Sequence, residues 1–219
     1  GEEQKKKMAI IKETFLPDEN DILLDFGCGT GLSSDWNCKV IGIDPNLELL
    51  KKNDKMKIIE TKLPGVLIIE PDIFGDSRGF FMETYHKERY GAAGMDAEFV
   101  QDNTSFSTNG TLRGLHFQYP HSQAKLVQVF MGEVFDVAVD IRKGSPTFGQ
   151  WFGTTLSSDN KQQLFIPAGF AHGFLVLSET ALFSYKCTDF YSPTHERGIL
   201  WSDPNIGIEW PINNPLLSD

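Results

Sequence analysis

Lys125-Leu126-Val127-Gln128-Val129-Phe130, then Gly132, then Val134-Phe135-Asp136-Val137-Ala138-Val139-Asp140-Ile141: two runs of strand character meet at a glycine. In the second run Phe135, Val137, Val139 and Ile141 share one apolar face, while Asp136, Ala138 and Asp140 share the other. A repeat of two is the period of an extended chain, so the run predicts a β-strand with one face polar enough to line a cavity. Working outward, Val66-Leu67-Ile68-Ile69 precedes Pro71, and further strands are expected at 151–156, 163–166, 173–177 and 181–188. Only Thr84–Gly94 reads as helical. Many short strands divided by turn residues predict a mainly β architecture, a sandwich or barrel with a jelly roll among the candidates.

Length and charge narrow the function. A chain of 219 residues can bury one large or two small cores. Its formal charge of −10 argues against nucleic acid or an anionic membrane as the main partner, since both attract basic patches. An anionic small ligand stays open, because a local arginine can hold it. Three cysteines, Cys28, Cys38 and Cys187, are an odd number without framework spacing, which predicts reduced thiols and a cytoplasmic setting. Lys5-Lys6-Lys7 is followed by only a short apolar run, so no signal peptide is expected, and no run approaches the ~18 apolar residues of a membrane span.

Thr111-Leu112-Arg113-Gly114-Leu115-His116-Phe117-Gln118 sets an arginine and a histidine three apart. On a regular strand they would face opposite ways. Gly114 between them permits a bend that would bring both to one pocket: a fixed cation, and a base that titrates near neutrality. The alternative is a surface arginine beside a packed histidine.

Toward the N-terminus, Ile22-Leu23-Leu24-Asp25-Phe26 runs into Gly27-Cys28-Gly29-Thr30-Gly31, and Val40-Ile41-Gly42-Ile43 ends in Asp44. Residues 20–46 thus resemble the opening of a Rossmann-like S-adenosylmethionine methyltransferase. Asp25, Gly27, Gly29, Gly31 and Asp44 stand on the positions of its cofactor loop and ribose-binding acid. The eight residues Leu32–Lys39 fall short of the dozen or so a βα crossover needs. The expectation is therefore a truncated fragment with its linker over 1–55, followed by a separate domain over 56–219.

In that second part the motifs accumulate in order: Phe74-Gly75-Asp76-Ser77-Arg78-Gly79-Phe80-Phe81, Val100-Gln101-Asp102-Asn103, the Thr111–Gln118 stretch, Gly132–Arg142, Ser145-Pro146-Thr147-Phe148-Gly149, Ile166-Pro167-Ala168-Gly169-Phe170-Ala171-His172-Gly173-Phe174, and Ile206-Gly207-Ile208-Glu209-Trp210-Pro211. Together they resemble the dTDP-4-dehydrorhamnose 3,5-epimerase family, a cupin-type jelly roll (double-stranded β-helix). The resemblance implies inversion at C3 and C5 of a dTDP-4-keto-6-deoxy sugar, with no cofactor and a homodimeric assembly. By the same resemblance His116 is the base, Tyr185 the acid, and Lys125 the cation near the enolate oxygen. Arg78, Glu83, Gln101, Asn103, Arg113, His172 and Glu196 fall on positions that hold the dTDP-sugar. For His172 a satisfied core histidine is the competing reading, and for Tyr185 an ordinary strand tyrosine.

The family's aspartate partner of the base histidine lies in a Lys-Asp pair beyond Leu217-Ser218-Asp219, so the sequence leaves open which carboxylate orients His116. Asp136, on the cavity-facing phase, is expected to orient His116 or His172, unless it is simply a hydrogen-bonded strand residue. His86, His121 and His195 read as surface residues. Metal-binding cupins carry a His-x-His pair, whereas His116 is followed by Phe117 and Gln118, so no metal is expected.

Overall fold

The structure, a computed structural model, describes residues 22–26, 39–43, 56–95 and 97–217. The chain divides into two units, Gly1–Lys55 and Met56–Asp219. In the first, β1 (Ile22–Phe26) and β2 (Lys39–Ile43) pair in parallel, Ile22 opposite Lys39 and Phe26 opposite Ile43. Asp25 lies within β1, while Gly27, Gly29, Gly31 and Asp44 are outside the described residues.

The second unit begins with β3 (Lys57–Glu60) and β4 (Leu67–Glu70), followed by the hairpin of β5 (Ile73–Asp76) and β6 (Gly79–Met82). Helix α1 (Lys87–Ala92) precedes β7 (Gln101–Thr108), β8 (Leu112–Gln118) and β9 (Lys125–Met131). Then come β10 (Glu133–Asp140), β11 (Trp151–Ser157), β12 (Gln163–Ile166), β13 (Phe170–Val176) and β14 (Thr180–Cys187). A 3-10 turn at Pro193–His195 leads into the short edge strand β15 (Glu196–Gly198).

Apart from the β5–β6 hairpin, these strands form two antiparallel sheets, a five-stranded one in the order β11-β10-β13-β8-β15 and a six-stranded one in the order β3-β4-β12-β9-β14-β7. In both sheets the neighbours other than β10–β11 and β3–β4 are non-consecutive, the mark of a jelly roll, and the mainly β expectation holds. The core between the sheets packs Val134, Ala138, Phe170 and Phe174 from one against Val127, Val129, Leu164 and Phe183 from the other. Each of these valine, leucine and phenylalanine side chains contributes about 1.5–3 kcal/mol. Phe174 and Phe183 stack across the gap with centroids 4.0 Å apart.

The alternation in β10 is realised, with both of its faces buried. Its apolar phase, Phe135, Val137 and Val139, points away from the gap and is covered by Ile199, Ile206, Ile208 and Trp210 from the C-terminal segment. Its polar phase faces inward, and each acid there is paired. Asp140 accepts from the Arg142 guanidinium (2.7 Å), Ser145 (2.6 Å) and Thr147 (2.6 Å). Burial alone would raise its pKa, but these hydrogen bonds outweigh it and hold the carboxyl far below the ordinary range.

Helix α1 starts three residues later than the sequence pattern predicts. His86 is its N-cap, its Nδ1 accepting from the Arg89 backbone N–H at 3.4 Å, so Thr84–His86 remain outside the helix. Tyr90 anchors α1 on the outer face of the six-stranded sheet by donating to Gln163 Oε1 at 2.9 Å.

Candidate active site

Strand β8 buries every third residue, Leu112, Leu115 and Gln118, instead of every second. Arg113 and His116 consequently share a phase. The cause is Gly114, at φ +111°, where the register against β13 slips between His172 and Phe174. A Cβ at this position would sit 2.5 Å from the His172 carbonyl oxygen and 2.6 Å from Gly173 Cα, so only glycine fits. The bend expected from the sequence is present, and both Arg113 and His116 line one cavity.

The six-stranded sheet supplies the facing wall. Its register gives three rows of residues across β7, β14 and β9: Gln101–Cys187–Lys125, Asn103–Tyr185–Val127, and Ser105–Phe183–Val129. The rows grade from polar at the mouth to apolar toward the core. An outer cavity of about 360 Å³ is lined by Gln101, Asn103, Gln123, Cys187, Tyr191 and Glu196 together with His116, Lys125 and Tyr185. An inner one of about 170 Å³ shares those last three and adds Ser105, Arg113 and His172. His116 thus comes from one sheet, and Lys125 and Tyr185 from the other.

Burial pushes the His116 imidazole below its ordinary pKa, against an upward pull from Glu196. Its Nδ1 lies 3.3 Å from Glu196 Oε1, while Glu196 Oε2 accepts from the Tyr191 hydroxyl at 2.7 Å. Burial likewise lowers Lys125, opposed by Cys187, Asp136 and Glu196, and raises Tyr185. At neutral pH these directions leave a neutral imidazole able to take a proton and a phenol able to give one. The Lys125 ammonium stands 5.8 Å from the centroid of the Tyr185 ring.

The remaining expected residues sort into three groups. Gln101 and Asn103 are joined at 2.9 Å, with Gln101 Oε1 accepting from the Tyr191 backbone N–H, and Arg113 Nε donates to Ser107 at 3.0 Å. Asp136 is fully buried and contacts His172 Nε2 at 2.9 and 3.1 Å, so of the two histidines it orients His172, not His116. Arg78 and Glu83 belong to neither cavity: Arg78, on the β5–β6 turn, pairs with Asp76, and Glu83 pairs with Arg89. Of the three expected surface histidines His121 is exposed, whereas His86 and His195 are half-buried.

Ser105, Cys187, Gln123 and Tyr191 are among the lining residues that were not expected as site residues from sequence. Ser105 and Cys187 continue the phases of Gln101–Asn103 and Tyr185, so strand periodicity carried a signal for both. Ser105 Oγ is buried without a hydrogen-bond partner, which leaves it free to bond a ligand. Gln123 and Tyr191 sit in connecting segments, where no period marks them. Among the described residues no three His, Cys, Asp or Glu side chains converge as a metal-ligand set.

The dTDP-4-dehydrorhamnose 3,5-epimerase family model matches residues 60–219. That match leaves residues 20–46 outside it, and the methyltransferase-like reading of them is without support. A dTDP-4-dehydrorhamnose 3,5-epimerase of Shigella flexneri is 62% identical over 166 residues, covering 75% of this chain and 92% of the relative. A dTDP-6-deoxy-D-glucose-3,5-epimerase of Legionella pneumophila, solved with dTDP-4-keto-L-rhamnose, is 55% identical, with a TM-score of 0.73 over 75% of this chain and 88% of that one. A 3'-monoepimerase of Streptomyces bikiniensis, solved with dTDP-quinovose, is 36% identical, with a TM-score of 0.69 over 73% and 82%. With the family model covering the whole jelly roll beyond its first strand, and relatives this similar along it, the chain belongs to the dTDP-4-dehydrorhamnose 3,5-epimerase family.

Proposed function

We propose that residues 56–219 are an epimerase domain that inverts C3 and C5 of dTDP-4-dehydro-6-deoxy-D-glucose, giving dTDP-4-dehydro-L-rhamnose, and that residues 1–55 are an extension outside this chemistry. Both carbons flank the C4 ketone, so their protons become acidic when the carbonyl oxygen is stabilised. His116 removes the proton, the C–H electron pair moves into an enolate facing Lys125, and Tyr185 returns a proton from the other side. The observation that carries this reading is a base on one sheet and an acid with a cation on the other, all on one cavity. Inversion needs removal and return of the proton on opposite faces of the ring, and a ligand held between two sheets is offered that.

Arg113, Gln101, Asn103, His172 and Glu196 serve the nucleotide sugar in this reading, an arginine suiting diphosphate by paired charge-assisted bonds. Arg78 and Glu83 are assigned to binding by family position alone. Ser105 is added to the set: Ser105→Ala should raise KM about two- to tenfold, the loss of one hydrogen bond, with kcat kept. Equal KM values would remove Ser105 from the binding role. A cytoplasmic setting belongs to the same reading; Cys187 is a buried free thiol, and no helix among the described residues is long and apolar enough to cross a membrane.

The deciding experiment is solvent deuterium incorporation into the 4-keto sugar nucleotide, followed by NMR. Exchange at C3 and C5 supports inversion of both centres. Exchange at one carbon gives the second reading, a single-centre epimerase, which the likeness to a monoepimerase keeps in play. Binding without exchange would leave a dTDP-sugar-binding protein.

The domain is also proposed to work as a homodimer. Strand β7 is an edge of the six-stranded sheet, and Val100 and Phe106 beside and within it are exposed. An unpaired edge with apolar side chains favours pairing with a second copy. Light scattering should give twice the chain mass; a monomeric mass at micromolar concentration would exclude the dimer.

A further inference from the structure

The segment that carries Tyr191 to the outer cavity belongs to no strand. It runs from the end of β14 at Cys187 to the 3-10 turn at Pro193. Among the described residues, no backbone-to-backbone hydrogen bond holds Asp189, Phe190 or Tyr191. Glutamine side chains hold the segment instead. Gln123 Nε2 donates to Asp189 O at 2.8 Å, and Gln118 Nε2 to Phe190 O at 3.2 Å. The Tyr191 N–H donates to Gln101 Oε1 at 2.8 Å, and the Ser192 N–H to Gln118 Oε1 at 2.7 Å. Four consecutive residues are thus each gripped by an amide. The three amides come from the first residue of β7, the last of β8 and the link between β8 and β9.

A backbone without a ladder of its own keeps one course only when other groups satisfy its polar atoms. Gln118 does most of this. It is buried, and a further Nε2 bond, to His121 O at 2.9 Å, ties the segment to the turn after β8. With both N–H groups and one carbonyl lone pair committed, it has a single lone pair left for anything else. We propose that Gln118 and Gln123, together with Gln101, are positioning residues: they form a clasp that holds Tyr191 as a wall of the outer cavity, and they act on the sugar nucleotide through that ring. This rests on the epimerase reading and gives Gln118 and Gln123 roles that the reading leaves unassigned. Gln101 gains a second task beside ligand binding, since its amide already spans Asn103 and Tyr191. His116, Lys125 and Tyr185 stand on ladder-bonded strands, so the clasp bears on binding and not on proton transfer.

The test compares Gln118→Leu, Tyr191→Ala and the double variant in steady-state kinetics, and follows amide hydrogen exchange at Tyr191 and Ser192. Each single variant should raise KM on the order of tenfold, with kcat within about threefold of wild type. In the Tyr191→Ala background Q118L should add less than about twofold, because the ring it positions is gone. A further tenfold or so there would mean that Gln118 acts on the ligand independently of Tyr191, which overturns the proposal. A wild-type KM in Q118L, or a loss confined to kcat, would overturn it too. Should Q118L fail to fold, Gln123→Met removes one bond only and takes its place in the same comparison, with KM expected to rise about threefold. Amide exchange is read without turnover, so it judges the clasp even if the wild type proves not to epimerise. Tyr191 and Ser192 should be protected in the wild type and exchange about tenfold faster or more in Q118L. Wild-type amides exchanging at the rate of an open loop would mean that there is no clasp.

Discussion

His116→Ala should lose C3 and C5 deuterium exchange by about 10²–10⁴-fold while keeping its melting temperature. The two halves of this expectation come from the same geometry. His116 is half-exposed and lines both cavities, so its removal opens no void in the core between the sheets. Three other titratable groups of the inner cavity stand differently. Burial lowers the Lys125 ammonium against the pull of Cys187, Asp136 and Glu196, burial raises the Tyr185 hydroxyl, and His172 already contacts Asp136. The measurement is the NMR rate of deuterium entry at each carbon under saturating sugar nucleotide, beside the thermal transition. Exchange within tenfold of wild type would sink His116 as the base, and His172 would be the next ring to test. Loss of exchange at one carbon only would mean that the two centres use different bases.

How much of this was legible beforehand depended on which chemistry each phase of a strand carries. In β10 the apolar phase is complete, so its alternation announced the strand and even the inward acids. Strand β7 has no such signal: Gln101, Asn103 and Ser105 line the cavity, and its other phase is mostly polar too, so the strand was not anticipated. The function that makes β7 important also hides it. The choice between His116 and His172 as the partner of Asp136 depended on register, because Ala138 lies opposite His172 and Asp136 opposite Phe174. No spacing in the sequence contains that. The same holds for Tyr191, whose role comes from a loop folding back on Gln101 and Glu196. Arg78 and Glu83 came from family resemblance alone, and within this chain their charges are taken up by neighbours a few residues away.

Gly114→Ala should cost the most activity of any change that touches no functional atom. Two penalties act at once. An L-residue at φ +111° carries about 1–3 kcal/mol of backbone strain. The added methyl also meets the His172 carbonyl oxygen at 2.5 Å and Gly173 Cα at 2.6 Å, which are backbone atoms of the neighbouring strand and cannot rotate aside. Either β8 or β13 must shift, and the slip that gives Arg113 and His116 a common phase goes with it. A displacement of about 1 Å in a catalytic group can cost 10²-fold, so kcat/KM should fall at least that far, alongside a lower melting temperature. Gly144→Ala separates the two penalties. Gly144 also has positive φ, +87°, but its added Cβ would meet nothing within 4 Å, so G144A should lower the melting temperature and leave kcat/KM near wild type. If G114A instead matches G144A in activity, the bend in β8 is incidental, and a regular strand would serve the site as well.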